Sequence, residues 1–166
     1  MRKLMEHFPR ASAKANRHFI SIEILYGMSM GILDKDVENI FLPPDIEDDK
    51  ILGEAVLFAL KSSRPVYADE LPVICNHKRN KELYDEGIKQ MMKRFKCRTK
   101  GDLMRRTKSV FISKNGDFIS FSPSRQEKLD AWSGISDQTD DVVISFSSKP
   151  AEIGAALRLA FDRCIA

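Results

Sequence analysis

Asn115-Gly116 lies between two runs rich in Val, Ile and Phe, Ser109–Lys114 and Asp117–Ser122. No other feature restricts this chain as much. Asn-Gly is the favoured central pair of a type I′ turn, whose twist matches that of the strands it joins. The reading is an antiparallel hairpin over 109–122. A two-residue loop pairs Lys114 with Asp117, Ile112 with Ile119 and Val110 with Phe121. Val110, Ile112, Ile119 and Phe121 then share one face, because the side-chain period of a strand is two. That face is expected to lie against the last helix of the chain. Phe111 and Phe118 fall on the other face, beside Ser113 and Ser120.

Further elements follow from the same periodicities. His18 to Leu25 sets Ile20, Ile22 and Ile24 on one side of a strand. Pro43-Pro44 stops a possible short strand at 40–42. A helix is expected over Asp45–Ser63, with Leu52, Val56, Ala59 and Leu60 on one face and acids crowding the first turns, where the helix dipole favours them. A second helix is expected over Asn80–Phe95, weakened by Gly87. Thr99 and Asp102 have the spacing of a helix cap. Asp141–Ser147 reads as a third clear strand. A final helix after Ser148 buries Ile153, Ala156, Leu157, Ala160 and Phe161. Residues 1–16 read as a frayed or weakly docked leader, and Pro123–Ser136, which holds Trp132, as a connection. These elements predict one α/β domain of the α+β type over 1–166. It has a mostly antiparallel sheet of about four to six strands and three or four helices.

Composition narrows the class. A chain of 166 residues, 43% hydrophobic, buries enough surface to need no staples. No apolar run approaches a membrane span, and Met1–Arg10 lacks the apolar stretch of a secretory signal. Three widely spaced cysteines, Cys75, Cys97 and Cys164, fit neither a disulfide framework nor a structural zinc site. A cytoplasmic setting is expected, with no membrane partner.

Motifs for chemistry are missing. There is no phosphate-binding glycine loop, HExxH or GxSxG. His7, His18 and His77 stand at no metal spacing in sequence from another His, Cys or carboxylate. His77 near Cys75 lacks an orienting carboxylate. No catalytic residue, metal or cofactor is expected, and no hydrolase, transferase or nuclease activity. Charge is unevenly placed. Residues 34–49 carry seven acids against Lys35, a net of −6, and residues 93–108 carry eight bases against Asp102, a net of +7. Such asymmetry bears on partners rather than on fold. The basic stretch leaves open a nucleic-acid-binding module, although Phe95 is its only aromatic residue.

Four stretches supply a resemblance: SIEILYGMSMG at 21–31, LPPDIEDDKILGEAVLFALKSSR at 42–64, SPSRQEKLDAWSG at 122–134 and SSKPAEIGAALRLAFDRC at 147–164. In this order and spacing the chain resembles the immunity proteins of bacterial contact-dependent growth inhibition, the CdiI family. The resemblance implies a protein that binds the C-terminal toxin domain of a cognate CdiA effector, usually a nuclease, and neutralises it in the cytosol, with no direct role for nucleic acid. The shared Gly, Pro, Leu, Ala and Trp positions look like fold determinants, with the small residues of GAALRLAF allowing close helix–sheet approach. Partner specificity must lie elsewhere. A nuclease cleft is electropositive, so acids outside strand interiors are the candidate toxin-binding residues. These are Asp34, Asp36 and Glu38, then Glu47, Asp48 and Asp49. A smaller group is Asp137, Asp140 and Asp141. Contact through the basic stretch, or strand addition at a sheet edge, remains open.

Overall fold

A computed structural model describes residues 1–135 and 140–166. Seven strands form one sheet: β1 (Arg10–Ala15), β2 (Ile20–Ile24), β3 (Ile40–Leu42), β4 (Lys108–Asn115), β5 (Phe118–Lys128), β6 (Ala131–Gly134) and β7 (Val142–Ser145). The order is β3-β2-β1-β4-β5-β6. The far edge of β5 is shared, with β7 along Phe118–Phe121 and β6 along Ser124–Lys128. Every strand pairing is antiparallel, and the helices lie on both faces, so the expected α+β architecture is the one observed. The described residues form seven strands and five α-helices, where about four to six and three or four were expected.

One face of the sheet carries the main core. Ala11, Ala13, Ile20, Ile22, Ile24, Val110, Ile112, Ile119 and Phe121 lie beneath α1 (Asp49–Ser62) and α5 (Pro150–Arg163). The hairpin face expected from sequence is therefore the buried one. Its register differs. Asn115 pairs with Phe118, Lys114 with Ile119 and Ile112 with Phe121, so the loop is Gly116-Asp117. Gly116 has φ +59° and Asp117 is not left-handed, which is the pattern of a type II′ turn with glycine first. Each partner moves by two residues, and a shift of two preserves the faces.

The leader reading is corrected. Arg10–Ala15 is an interior strand between β2 and β4. The residues before it are also tied down: Met5 N–H donates to Val66 O, Phe8 N–H to Gly27 O, and Leu4 bridges Tyr67. RASAKA has low strand propensity, but Ala11 and Ala13 are the small residues that let the sheet approach its covering helices. The supposed connection 123–136 is corrected too. The strand runs through Pro123 to Lys128 and turns into β6. Pro123 falls between the segments that pair with β7 and β6, where a missing N–H costs no ladder bond.

Helix boundaries follow local chemistry. α1 begins at Asp49 rather than Asp45, because the Asp48 carboxylate caps it, accepting from Lys50 N and Ile51 N. Its crossing with α5 involves glycine on both helices. A Cβ on Gly53 would stand 1.7 Å from Pro150 O, and one on Gly154 1.9 Å from Asp49 O. Gly154 thus serves a helix–helix approach, whereas Ala156 and Ala160 lie in the core shared with the sheet, where a close helix–sheet approach was expected. α2 (Leu71–Ile74), α3 (His77–Arg94) and α4 (Lys100–Met104) complete the described α-helices. α3 and α4 cover part of the second sheet face through a smaller core of Phe19, Cys97, Leu103 and Met104, joined by Phe41, Met91, Phe95 and Trp132.

Candidate functional site

The second sheet face is unlike the first. Its residues alternate with the core set, so β1 offers Ser12 and Lys14 and β2 offers Ser21 and Glu23. The Lys14 ammonium pairs with Glu23 at 2.9 Å and lies 5.1 Å from the centroid of the Trp132 ring. Trp132 is fixed by its indole N–H, which donates to Thr107 O at 2.8 Å. These residues floor a cleft of about 550 Å³. α3 forms one wall with Tyr84, Met91 and Arg94, and the 33–39 loop forms another with Lys35 and Glu38. Lys35 reaches across to α3, where its ammonium donates to Leu83 O at 3.4 Å and lies against Gly87. Burial pushes the Lys35 pKa down; Glu23 opposes this and Arg79 adds to it. The cleft thus holds both signs of charge, partly dehydrated, the kind of surface that discriminates among charged partners.

Its rim is closed by a three-residue network. Tyr84 O–H on α3 and Lys100 on α4 both donate to the Asp130 carboxylate in the β5–β6 turn, at 2.9 and 2.5 Å. The hydrogen bond from Lys100, then that from Tyr84, holds the Asp130 carboxyl below its ordinary range. A carboxyl whose pKa is lower folded than unfolded stabilises the fold above about pH 4 and loses that contribution as pH falls through the folded value. Asp130→Asn is expected to cost about 0.5–1 kcal/mol at neutral pH, as for a partly exposed pair. The gap to wild type should close below about pH 4. Thermal melts at the two pH values check this, and a gap constant with pH would contradict it.

The acids singled out from sequence separate into two kinds. Asp34 is turned inward, with 1% exposure. Its Oδ1 accepts from Asp36 N–H at 3.0 Å, and Oδ2 faces the Arg64 guanidinium at 3.8 Å. It shapes the loop and offers no carboxylate to a partner, which argues against its place among the acids expected to face the toxin. Asp49 is half-buried and held by Arg158. Asp48 is exposed while capping α1, and Asp36, Glu38 and Glu47 are exposed. The two segments flank β3, which forms one end of the sheet and pairs with β2 alone among the described residues. Of the third group, Asp137 lies outside the described residues. Asp140 and Asp141 are half-buried, and the Asp140 carbonyl accepts from Arg163.

The basic stretch is partly used internally. Arg94 stacks over Phe41 at 4.5 Å, Lys100 serves Asp130, and Phe95 packs between Phe19 and Phe41. Its one aromatic residue is therefore no platform for a base. His77 and Cys75 are both exposed at the start of α3 and in the turn before it. Sequence reasoning missed the floor of the cleft, Lys14, Glu23 and Trp132. The available signal was the alternation of Arg10, Ser12 and Lys14 against three alanines. It also missed the convergence of His18, Cys97 and Asp102, which lie far apart in the chain.

A mixed-charge cleft beside an open, acid-flanked sheet edge has the features of a protein-recognition domain. Comparison with known proteins places it within that class. A family model for the CDI immunity protein, CdiI, matches residues 9–164, and the chain belongs to that family. It is 37% identical to the immunity protein CdiI-YPIII of Yersinia pseudotuberculosis serotype O:3 over 93% of this chain and 94% of the relative. A chain of the CdiA-CT/CdiI toxin and immunity complex from Yersinia pseudotuberculosis superposes with a TM-score of 0.85 at 32% identity, covering 98% of this chain and 99% of the other. A Neisseria meningitidis protein of unknown function matches with a TM-score of 0.87 at 31% identity, covering 96% and 97%.

Proposed function

We propose that this chain is the immunity half of a toxin–immunity pair. It binds the C-terminal toxin domain of a cognate CdiA effector in the cytoplasm of the cell that makes it, and it neutralises that toxin by occupying it, without catalysis. The observation that carries this reading is the end-to-end likeness, in sequence and fold, to a chain of a toxin–immunity complex. Among the described residues no helix is long and apolar enough to cross a membrane. The test is co-expression with the C-terminal toxin domain of the cognate CdiA effector. Cells are expected to survive, and the two chains to elute together on size exclusion. Cell death with normally folded immunity protein would refute the reading.

The toxin domain is taken to be a nuclease with an electropositive cleft, and the contact surface to be the β3 edge with Asp36, Glu38, Glu47 and Asp48 around it. Charges on a rim act mainly on association rate, and salt screens them. Asp36→Ala/Glu38→Ala is expected to slow association about three- to tenfold at low salt and to converge with wild type at high salt. Asp34 is left intact, since its carboxylate supports the loop. An unchanged association rate at both salts would remove these acids from the interface.

A further inference from the structure

Three residues that the cleft does not use meet where β2 begins. His18 precedes the strand, Cys97 follows α3 in a turn that starts with left-handed Lys96, and Asp102 lies in α4. His18 Nε2 is 3.5 Å from Cys97 Sγ and 3.6 Å from Asp102 Oδ1, and all three ligand atoms fall within 4.8 Å of one another. Thiol and carboxylate approach the same ring nitrogen. A nucleophile relay needs them on opposite nitrogens, so this is not a Cys-His-Asp catalytic triad.

That nitrogen is also in conflict. Arg17 Nε–H points at it from 3.3 Å and requires a lone pair, whereas the Asp102 backbone carbonyl at 3.1 Å and its carboxylate require an N–H. No single protonation state of His18 serves all of them. A cation that displaces Arg17 resolves the conflict, taking the lone pair of a neutral imidazole together with two anionic ligands.

The spacing suits one kind of ion. Zinc-type bonds of about 2.3 Å to sulfur and about 2.0–2.1 Å to nitrogen or oxygen, at tetrahedral angles, set ligand atoms about 3.3–3.6 Å apart. The His18–Cys97 edge matches this, and a turn of the Asp102 carboxylate, which is 35% exposed, draws in the slightly longer His18–Asp102 edge and closes the third. Thiolate, imidazole and carboxylate are the donor set of borderline-soft divalent ions, and two anions neutralise the 2+ charge. We propose that His18, Cys97 and Asp102 form a binding site for one divalent transition-metal ion of the zinc type, with water in the fourth position.

Binding releases the Cys97 thiol proton to solvent; burial, then Asp102, raises the pKa of that thiol, so the ion must displace the proton. The competitor is Arg17, whose guanidinium pairs with Asp102 Oδ1 while its own side chain is 70% exposed and free to swing away. A bound ion would fasten β2, α4 and the end of α3 together and so stiffen the wall of the cleft.

The test uses the full chain, stripped with chelator and titrated with Co²⁺ as a spectroscopic probe. One equivalent is expected to give a thiolate-to-cobalt charge-transfer band and the visible bands of a four-coordinate ion, and Zn²⁺ is expected to displace it and raise the melting temperature. Cys97→Ser should abolish the charge-transfer band, and Cys75→Ser should leave it intact. His18→Gln and Asp102→Asn should weaken binding by more than about tenfold, beyond the lower end of what second-shell losses cost. Arg17→Ala should tighten it. The absence of a thiolate band in the wild type, a band that follows Cys75, or binding unchanged by both Asp102→Asn and Arg17→Ala would each overturn the proposal. None of these readouts depends on toxin binding.

Discussion

Gly53→Ala and Gly154→Ala are each expected to destabilise the protein by about 3 kcal/mol or more, at the upper end of overpacking costs. The sign is opposite to that of the usual change. Alanine in a helix interior is better than glycine by about 0.8–1.0 kcal/mol, so neither site would lose stability on propensity alone. The loss comes from the crossing of α1 and α5. Each glycine faces the carbonyl of the residue four positions before the other, Gly53 against Pro150 and Gly154 against Asp49. The added methyl groups would stand 1.7 and 1.9 Å from those oxygens, and both oxygens belong to helix backbone that cannot swing aside. The helices must move apart, and with them Leu52, Val56, Ile153 and Leu157, which are wholly buried against the sheet. For a domain of this size the expected drop in melting temperature is about 6–12 °C. Gly87→Ala is the control. A Cβ there meets only the Lys35 ammonium, at 3.5 Å, so stability should stay level or rise. Equal melting temperatures for all three variants would show that the crossing tolerates separation.

Phe19→Ala is expected to cost about 3–5 kcal/mol, the range for removing a buried phenylalanine. Its consequence should be confined to one side of the sheet. Phe19 has no exposed surface. It meets Phe95 at 5.0 Å and Phe41 edge-on at 5.8 Å, and it shares a cluster with Leu103 and Met104. α3 has no fully buried residue of its own, so this cluster, with the Asp130 network and the Lys35 bond to Leu83 O, holds it over the sheet. Hydrogen exchange is expected to quicken across 77–104, while strands beneath α1 and α5 keep their protection. Equal loss of protection on both faces would show that the two cores fold and open as one. A cost under about 1.5 kcal/mol would show that the cavity collapses without releasing α3.

Much of the fold was legible because it rests on local periodicity. The triple isoleucine of 20–24, the apolar stripe of 52–60 and the apolar face of 153–161 are all buried as their spacing requires. The hairpin is instructive. Its turn chemistry pointed to Asn115-Gly116 and the chain turns at Gly116-Asp117, yet the buried face is the same, since a slip of two residues leaves every side chain on its own side. β1 was not legible. Alanine, serine and lysine carry little strand signal, and Arg10–Ala15 is a strand because two neighbours and two helices close around it. Pro123 likewise read as an end to the strand, and only the change of partner on β5 makes it tolerable.

The candidate surfaces divide along the same line. Sequence alone determined that residues 34–49 are acidic, that apolar residues recur at strand and helix periods, and that the ordered motifs resemble those of the CdiI family, because composition, periodicity and motif order are properties of the chain as written. Tertiary structure decided which acids are available. Asp34 and Asp36 are two residues apart and equally charged, but the first turns in toward Arg64 and the second turns out. It also decided that Lys14, Glu23 and Trp132 share a floor, and that His18 meets Cys97 and Asp102 across 79 and 84 residues. Direction and long-range proximity depend on how whole faces pack against each other, and no local pattern encodes them.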